Sequence, residues 1–242
     1  MQPETLFRAI FAHRGASAYA PENTMAAFRS ALSSRADGIE LDVHLSADHQ
    51  IVVIHDDDVS RTTNGQGKVH ALTLEELRRL DAGQGEVIPT LLDVLELIGD
   101  QMFLNIELKR FSGSAAYLPE KVTQLVNELD LNSKVIYSSF DPMLLIRTRR
   151  SDPQAKCGLL LLEDGFGTAV RLLVSTFIKP WSLHPHYSSV SHKYLQRARL
   201  RGQAVITYTV NQPEEMQRLF NLGLQGIITD DPVQAIEVRN TL

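Results

Sequence analysis

Gly38-Ile39-Glu40-Leu41-Asp42-Val43, followed by Ile51-Val52-Val53-Ile54-His55-Asp56, is the stretch around which the rest of the chain makes sense. Along a β-strand successive side chains alternate faces, so Glu40 and Asp42 share one side while Ile39, Leu41 and Val43 take the other. Two carboxylates thus stand side by side in a strand whose other residues are those of a buried one. Burial without compensation is costly for a carboxylate, so the pattern calls for a cation, most simply a metal ion. The second segment reads as a strand ending on His55, whose side chain titrates near neutrality. Together they describe the floor of a metal-dependent active site with an acid/base group beside it.

The 242-residue chain is 43% hydrophobic, enough for one large core, and an α/β barrel spanning 1–242 as a single domain is ordinary at this length. A single cysteine, Cys157, excludes an intramolecular disulfide framework and fits a reducing compartment. A formal charge of −5 with no basic run speaks against nucleic acid and against an anionic membrane surface as partners. No charged-then-apolar leader opens the chain, and no apolar run approaches the roughly 20 residues that span a bilayer. The expectation is a cytoplasmic monomer or homodimer that acts on a small molecule without stable membrane association.

Short apolar runs alternate with amphipathic segments throughout, the pattern of repeated β–α units on a parallel sheet. Strands are expected at Ile10–His13, Ile39–Val43, Ile51–His55, Met102–Glu107, Val135–Ser138, Cys157–Leu161, Phe177–Leu183, Val205–Thr209 and Gly226–Ile228. Helices are expected at Thr24–Ser34, Leu91–Ile98, Pro119–Glu128, Pro142–Ser151, near Gly167–Leu173, at His192–Arg201, Pro213–Asn221 and Pro232–Arg239. Asn23-Thr24, Asp141-Pro142, Gln212-Pro213 and Asp231-Pro232 supply helix-start signals. The repeats predict a TIM-type (β/α)8 barrel, with Ile39–Val43 and Ile51–His55 forming a hairpin-like extension. Only 56–89 breaks the rhythm, around one helical run at Leu74–Leu80, and it reads as a small insertion or lid.

Barrel enzymes gather their sites at the C-terminal ends of the strands, so the polar residues there belong together. They are His13-Arg14-Gly15, Glu40-Leu41-Asp42, His55-Asp56 and Asn105-Ile106-Glu107-Leu108-Lys109, where alternation places Asn105, Glu107 and Lys109 on one face. Glu40, Asp42 and Glu107 bring three negative charges; a divalent ion with Arg14 and Lys109 brings four positive ones. The remaining charge of about +1 suits a phosphodiester and its more negative transition state. Hard oxygen donors without cysteine favour Mg²⁺ or Ca²⁺ over zinc. His13 and His55 are then left as a general acid/base pair.

The ordered set His13-Arg14-Gly15, Pro21-Glu22-Asn23-Thr24, Glu40-Leu41-Asp42, His55-Asp56, Arg61-Thr62-Thr63-Asn64-Gly65, Pro89-Thr90-Leu91, Asn105 to Lys109 and Tyr208-Thr209-Val210-Asn211 resembles the glycerophosphodiester phosphodiesterase family across nearly the whole chain. The resemblance implies a barrel that cleaves deacylated phospholipids such as glycerophosphocholine or glycerophosphoethanolamine to glycerol 3-phosphate and an alcohol. It implies Glu40, Asp42 and Glu107 as metal ligands, His13 and His55 as the catalytic pair, and Arg14 and Lys109 as phosphate contacts. It further implies attack by the substrate's own 2-hydroxyl, a cyclic phosphate, and its opening by water. Two departures stand out. The segment Gly83 to Ile88 is shorter than in many relatives, and Tyr208 replaces a common tryptophan as a smaller aromatic wall toward the glycerol or leaving group.

Rival readings are a lysophospholipase D-like enzyme, which needs an apolar rim that the lid does not supply, a catalytically silent barrel used as a binding module, and a Mg²⁺ aldolase-type barrel that leaves the histidines idle. Other conspicuous residues read as structural. His184 lines the pocket at most, and His186 finds no matching third ligand. His44, His49 and His70 are taken as loop residues, His192 as a helix start, Trp181 as packing, and Arg147-Thr148-Arg149-Arg150 as a solvated helix end.

Overall fold

The computed structural model describes residues 6–110, 117–162 and 178–242. Within them lie β1 (Ala9–His13), β2 (Gly38–Leu45), β3 (Ile51–Val53), β4 (Phe103–Leu108), β5 (Val135–Ser139), β6 (Lys156–Leu160), β7 (Ser182–His184), β8 (Ala204–Thr207) and β9 (Gly226–Thr229). Eight of these are parallel neighbours in the circular order β1-β2-β4-β5-β6-β7-β8-β9, and β9 returns to β1 through Ala9↔Gly226 and Ala12↔Thr229. Among the described residues, helices follow seven of the eight strands of this ring, the arrangement of a TIM-type (β/α)8 barrel. The ninth strand, β3, runs antiparallel along the upper part of β2, pairing Val43 with Val53 and Leu45 with Ile51.

Helix boundaries follow the local chemistry. Thr24 caps Met25–Ser34 by accepting from Ala27 N–H, and Thr90 with Asp93 forms a reciprocal capping box at Leu91–Ile98. Asp141 and Asp231 cap Pro142–Ser151 and Pro232–Asn240 with proline in the first turn. Gln212 makes no side-chain cap at Pro213–Leu222, where proline alone marks the start.

Three expectations are corrected. The strand drawn from Ile51 to His55 ends at Val53, so His55 stands on the bend beyond it. The strand drawn over Phe177–Leu183 is found at Ser182–His184; Pro180 has no N–H for the ladder, and Phe177 lies outside the described residues. The helix of the insertion is only Leu74–Leu77, continued by i→i+3 bonds from Arg79 and Leu80. The helix expected near Gly167–Leu173 lies outside the described residues.

Alternation along the strands separates two environments. Outward-facing residues pack against the helices, with Leu41, Val43, Leu104 and Ile106 in the main core. Inward, Phe11, Ile136, Ile206 and Ile228 form an apolar plug with Phe103, Trp181 and Tyr208 packed against it. The next inward residue along β1 and β9 is then His13 or Asp230, so the plug is a hydrophobic base below a polar rim. The 54–90 segment carries its own small cluster of Ile54, Val59, Val69, Leu77, Ala82 and Ile88 on Val52 of β3. No helix among the described residues is long and apolar enough to cross a membrane.

Candidate active site

The rim is built by register. β1 sets His13 beside Glu40 of β2, and β2 sets Glu40 beside Asn105 and Asp42 beside Glu107 of β4. Carboxylate oxygens of Glu40, Asp42 and Glu107 all lie within 4.8 Å of one another and are buried. Lys109, one residue past β4, reaches back so that Nζ stands 2.8 Å from Asp42 Oδ1 and 2.7 Å from Glu107 Oε1. Arg14 donates its backbone N–H to Glu40 at 3.1 Å, places Nε 3.5 Å from Asp42 and donates Nη1 to Glu22 at 2.7 Å. Asn23 Nδ2 donates to Asp42 at 2.9 Å.

Two backbone conformations hold this turn. Arg14 and Asn23 adopt φ of 55° and 57°, a left-handed region sparsely used by residues with a Cβ. Gly15 follows at φ 80°, and a Cβ there would stand 2.7 Å from the Ala27 backbone carbon. The glycine after His13-Arg14 therefore lets β1 turn directly against the helix Met25–Ser34.

The electrostatics show a deficit of positive charge. Burial raises the Asp42 carboxyl, but Lys109, Arg14 and His55 outweigh it and hold the group far below the usual carboxylate range. Glu107 is pushed up to about 7, chiefly by burial, with Lys109 opposing. Burial and the charges of Asp42 and Glu107 push Glu40 well above its ordinary value. Three carboxylates thus share two cations. Asn105 Oδ1, paired in register with Glu40, is buried without a hydrogen-bond partner among the described residues. An oxygen-rich, electron-pair-rich pocket short of one or two positive charges fits a hard divalent ion. It is the only such cluster of His, Cys, Asp or Glu among the described residues.

Each histidine of the expected pair is held by a carboxylate. His13 Nδ1 is 2.6 Å from Asp230 Oδ1, leaving Nε2 directed toward Glu40 at 4.0 Å. His55 Nδ1 is 2.6 Å from Asp56 Oδ1. With Nδ1–H donated in each case, Nε2 is the nitrogen available for proton transfer. Burial lowers the His55 pKa, with Asp42 opposing and Lys109 and Arg14 reinforcing.

Strand-end reasoning missed several contributors. Asp230 follows β9 directly, accepts from His13, from Ser17 Oγ at 3.0 Å and from Asn211 Nδ2 at 2.6 Å, and is held at about 2 by those bonds against its burial. It was findable by extending the strand-end rule to the last strand, where Asp231-Pro232 drew attention as a helix start instead. His44 is corrected from a loop residue to a β2 position, 3% exposed, whose Nε2–H donates to the His55 carbonyl at 3.0 Å. Burial takes its pKa down to about 4. The alternation that pairs it with Asp42 was the available sign.

The remaining expectations divide. Tyr208 donates its hydroxyl to the Leu161 carbonyl at 2.6 Å and meets Phe140 edge-on at 6.0 Å, so its ring is the part turned to other uses. His184 is fully buried, bonded through Nε2 to Ser182 Oγ at 2.8 Å, and lines no open pocket. His186 caps the short turn Tyr187–Ser189, and His192 opens its helix as expected. His49 turns at φ 60° and His70 sits in the turn Val69–Ala71. The Arg147–Arg150 run is not simply solvated: Arg147 forks onto Glu120 at 3.0 Å, and Arg149 binds the Ile178 and Lys179 carbonyls.

Residues 13–234 match the profile of the glycerophosphoryl diester phosphodiesterase family. The chain is 42% identical to a glycerophosphodiester phosphodiesterase of Caldanaerobacter subterraneus subsp. tengcongensis, over 95% of this chain and 96% of that one. It is 28% identical to human glycerophosphodiester phosphodiesterase 1, over 98% of this chain and 82% of that one. Among solved structures it resembles an Oleispira antarctica phosphodiesterase in complex with the product sn-glycerol-3-phosphate, with a TM-score of 0.86, 30% identity and coverage of 99% and 100%. A Thermotoga maritima glycerophosphodiester phosphodiesterase superposes with a TM-score of 0.79 at 30% identity, covering 96% and 98%. Fold, ordered motifs and relatives converge: the chain belongs to the glycerophosphoryl diester phosphodiesterase family.

Proposed function

We propose that this chain hydrolyses glycerophosphodiesters, glycerophosphocholine and glycerophosphoethanolamine among them, to glycerol 3-phosphate and the free alcohol. It does so as one barrel domain with 56–89 as its insertion, using a divalent ion, Mg²⁺ or Ca²⁺, held by Glu40, Asp42 and Glu107. The observation that carries this reading is the convergence of three buried carboxylates with two histidines whose Nδ1 atoms are each tied to a separate aspartate. The product complex of the Oleispira relative supports glycerol 3-phosphate as the released fragment.

When bound, the ion supplies Lewis-acid polarisation of a phosphoryl oxygen and charge for the transition state. Arg14 and Lys109 add cationic donors on the same side and fix the phosphate. One histidine accepts the proton of the substrate's 2-hydroxyl through Nε2 as that oxygen attacks phosphorus. The other donates a proton to the departing alcohol, and the roles reverse when water opens the cyclic phosphate. Tyr208 offers a ring wall to the glycerol or the leaving group.

The test is glycerol 3-phosphate release from both diesters, with chelator and with Mg²⁺ or Ca²⁺ restored, for the wild type and for His13→Ala and His55→Ala. Metal-dependent release that drops by about 10²–10⁴-fold in either variant is expected. Equal release from the folded variants, or release indifferent to chelator, refutes the pair or the metal.

A further inference from the structure

Arg61 opens the Arg61-Thr62-Thr63-Asn64-Gly65 motif in the 56–89 segment, and no step above uses it. Its guanidinium donates Nη1 and Nη2 to the two oxygens of Glu22 at 2.9 and 2.7 Å, and Nε to Asp56 Oδ2 at 2.5 Å. Glu22 Oε1 also accepts from Arg14 Nη1, and Asp56 Oδ1 also accepts from His55 Nδ1. Five side chains therefore form an unbroken line, Arg14–Glu22–Arg61–Asp56–His55, drawn from the end of β1, the loop before Met25–Ser34, the bend after β3 and the 56–89 segment.

Stability does not explain the arrangement. Arg61 is 47% exposed on its side chain, and exposed ion pairs contribute little to folding. Geometry does, because a guanidinium presents a rigid planar fork that can meet one carboxylate with two donors and a second with a third. Charge points the same way. Glu22 by itself would cancel the charge of Arg14; Arg61 offsets Glu22 and so leaves Arg14 free to face an anion.

We propose that Arg61 is a positioning residue that, through Glu22 and Asp56, locks the phosphate-facing Arg14 and the acid/base His55 into one frame. This is the task the 56–89 segment performs for the site. It rests on the roles assigned to Arg14 and His55 under the proposed function. Arg61 touches neither substrate nor reacting atoms in this scheme; it acts by holding two groups that do.

The experiment uses the full chain with Mg²⁺ or Ca²⁺ and glycerophosphocholine. Arg61→Ala, Arg61→Lys and Asp56→Asn are compared alone, and each Arg61 variant is combined with Asp56→Asn. The expected result is a kcat loss of about 10- to 100-fold in Arg61→Ala, the scale of a misplacement near the reacting centre. Lys does not restore it, since a single ammonium cannot reproduce the fork. In the Asp56→Asn background the further kcat loss is smaller than in the wild type, because the arm to His55 is already cut and only the Glu22–Arg14 arm remains to be lost. Losses that multiply, a rise in KM at unchanged kcat, or a lower melting temperature with unchanged kcat each overturn the proposal.

A second readout needs no turnover. The hydrogen-bonded Nδ1 proton of His55, identified by its disappearance in His55→Ala, is followed by proton NMR in the substrate-free protein. It shifts or exchanges faster in Arg61→Ala; an unchanged resonance overturns the frame. If the wild type releases no glycerol 3-phosphate, the proposed function has failed while the resonance still decides the role of Arg61.

Discussion

Replacing Lys109 with methionine keeps a long apolar stem and removes the charge that Asp42 and Glu107 share. The ammonium lies 2.8 and 2.7 Å from the two carboxylates, and the three side chains are 12, 1 and 10% exposed. Removing one member of a buried ion pair costs about 3–5 kcal/mol, because the partner is left charged and desolvated. Glu107 already sits at about 7 and can take up a proton, which favours the lower end of that range. For a chain of this length each kcal/mol moves the melting temperature by about 2–4 °C, so a loss of about 3 kcal/mol corresponds to about 6–12 °C. The pH dependence has a definite sign. Without Lys109 both carboxyls rise, so the folded variant binds protons that the unfolded chain has released, and its stability falls as pH rises. The deficit against wild type is therefore larger at pH 8 than at pH 5. Thermal unfolding in chelator at both pH values measures it, and added Mg²⁺ or Ca²⁺ narrows the gap by replacing the missing charge. A shift under about 2 °C at pH 8, or a deficit that widens toward pH 5, refutes the reasoning.

Asp230→Asn lowers kcat by about 10²-fold or more with KM nearly unchanged, and adds nothing in a His13→Ala background; steady-state kinetics of the double-mutant cycle checks both. Burial drives the His184 pKa down to about 3, so the unfolded chain gains a proton near pH 6.5 that the folded chain refuses. Stability therefore falls as pH drops from about 6.5 to 3, by up to about 1.4 kcal/mol per unit from this group, and His184→Gln flattens the urea midpoint across that window. Gly158→Ala would set a Cβ 2.6 Å from His184 Nε2 and 2.9 Å from Ser182 Oγ, both on fully buried side chains. It lowers urea stability by about 1–3 kcal/mol, and a neutral result would show that this layer repacks freely.

What the sequence made legible was whatever depended on periodicity. Alternation in Glu40-Leu41-Asp42 and Asn105-Ile106-Glu107 already placed the carboxylates on one face, and the register of β2 with β4 sets Asp42 beside Glu107. The partners that tune these residues were harder to see, because each comes from a distant segment. Asp230 lies 217 positions from His13, and Glu22 reaches Arg61 across 39. His55 reads as a strand residue because Ile51 to Ile54 is β-branched throughout, yet its own position is fixed by the His44 donation and by Asp56, both outside any backbone ladder. His44 reads as a loop residue because β2 outlasts the barrel wall, extended by its antiparallel pairing with β3. Tyr208 carried a motif, but the polar work of that motif falls to Asn211, which grips Asp230 through its side-chain amide and accepts from the Asp230 N–H.

His13 stands on the first barrel strand and Asp230 at the end of the last. A ribosome therefore delivers the two halves of this pair 217 positions apart. No emerging chain can possess a tethered His13 until β9 has slotted beside β1, so competence arrives only with ring closure. Cutting the chain anywhere before Asp230 removes the tether along with the strand.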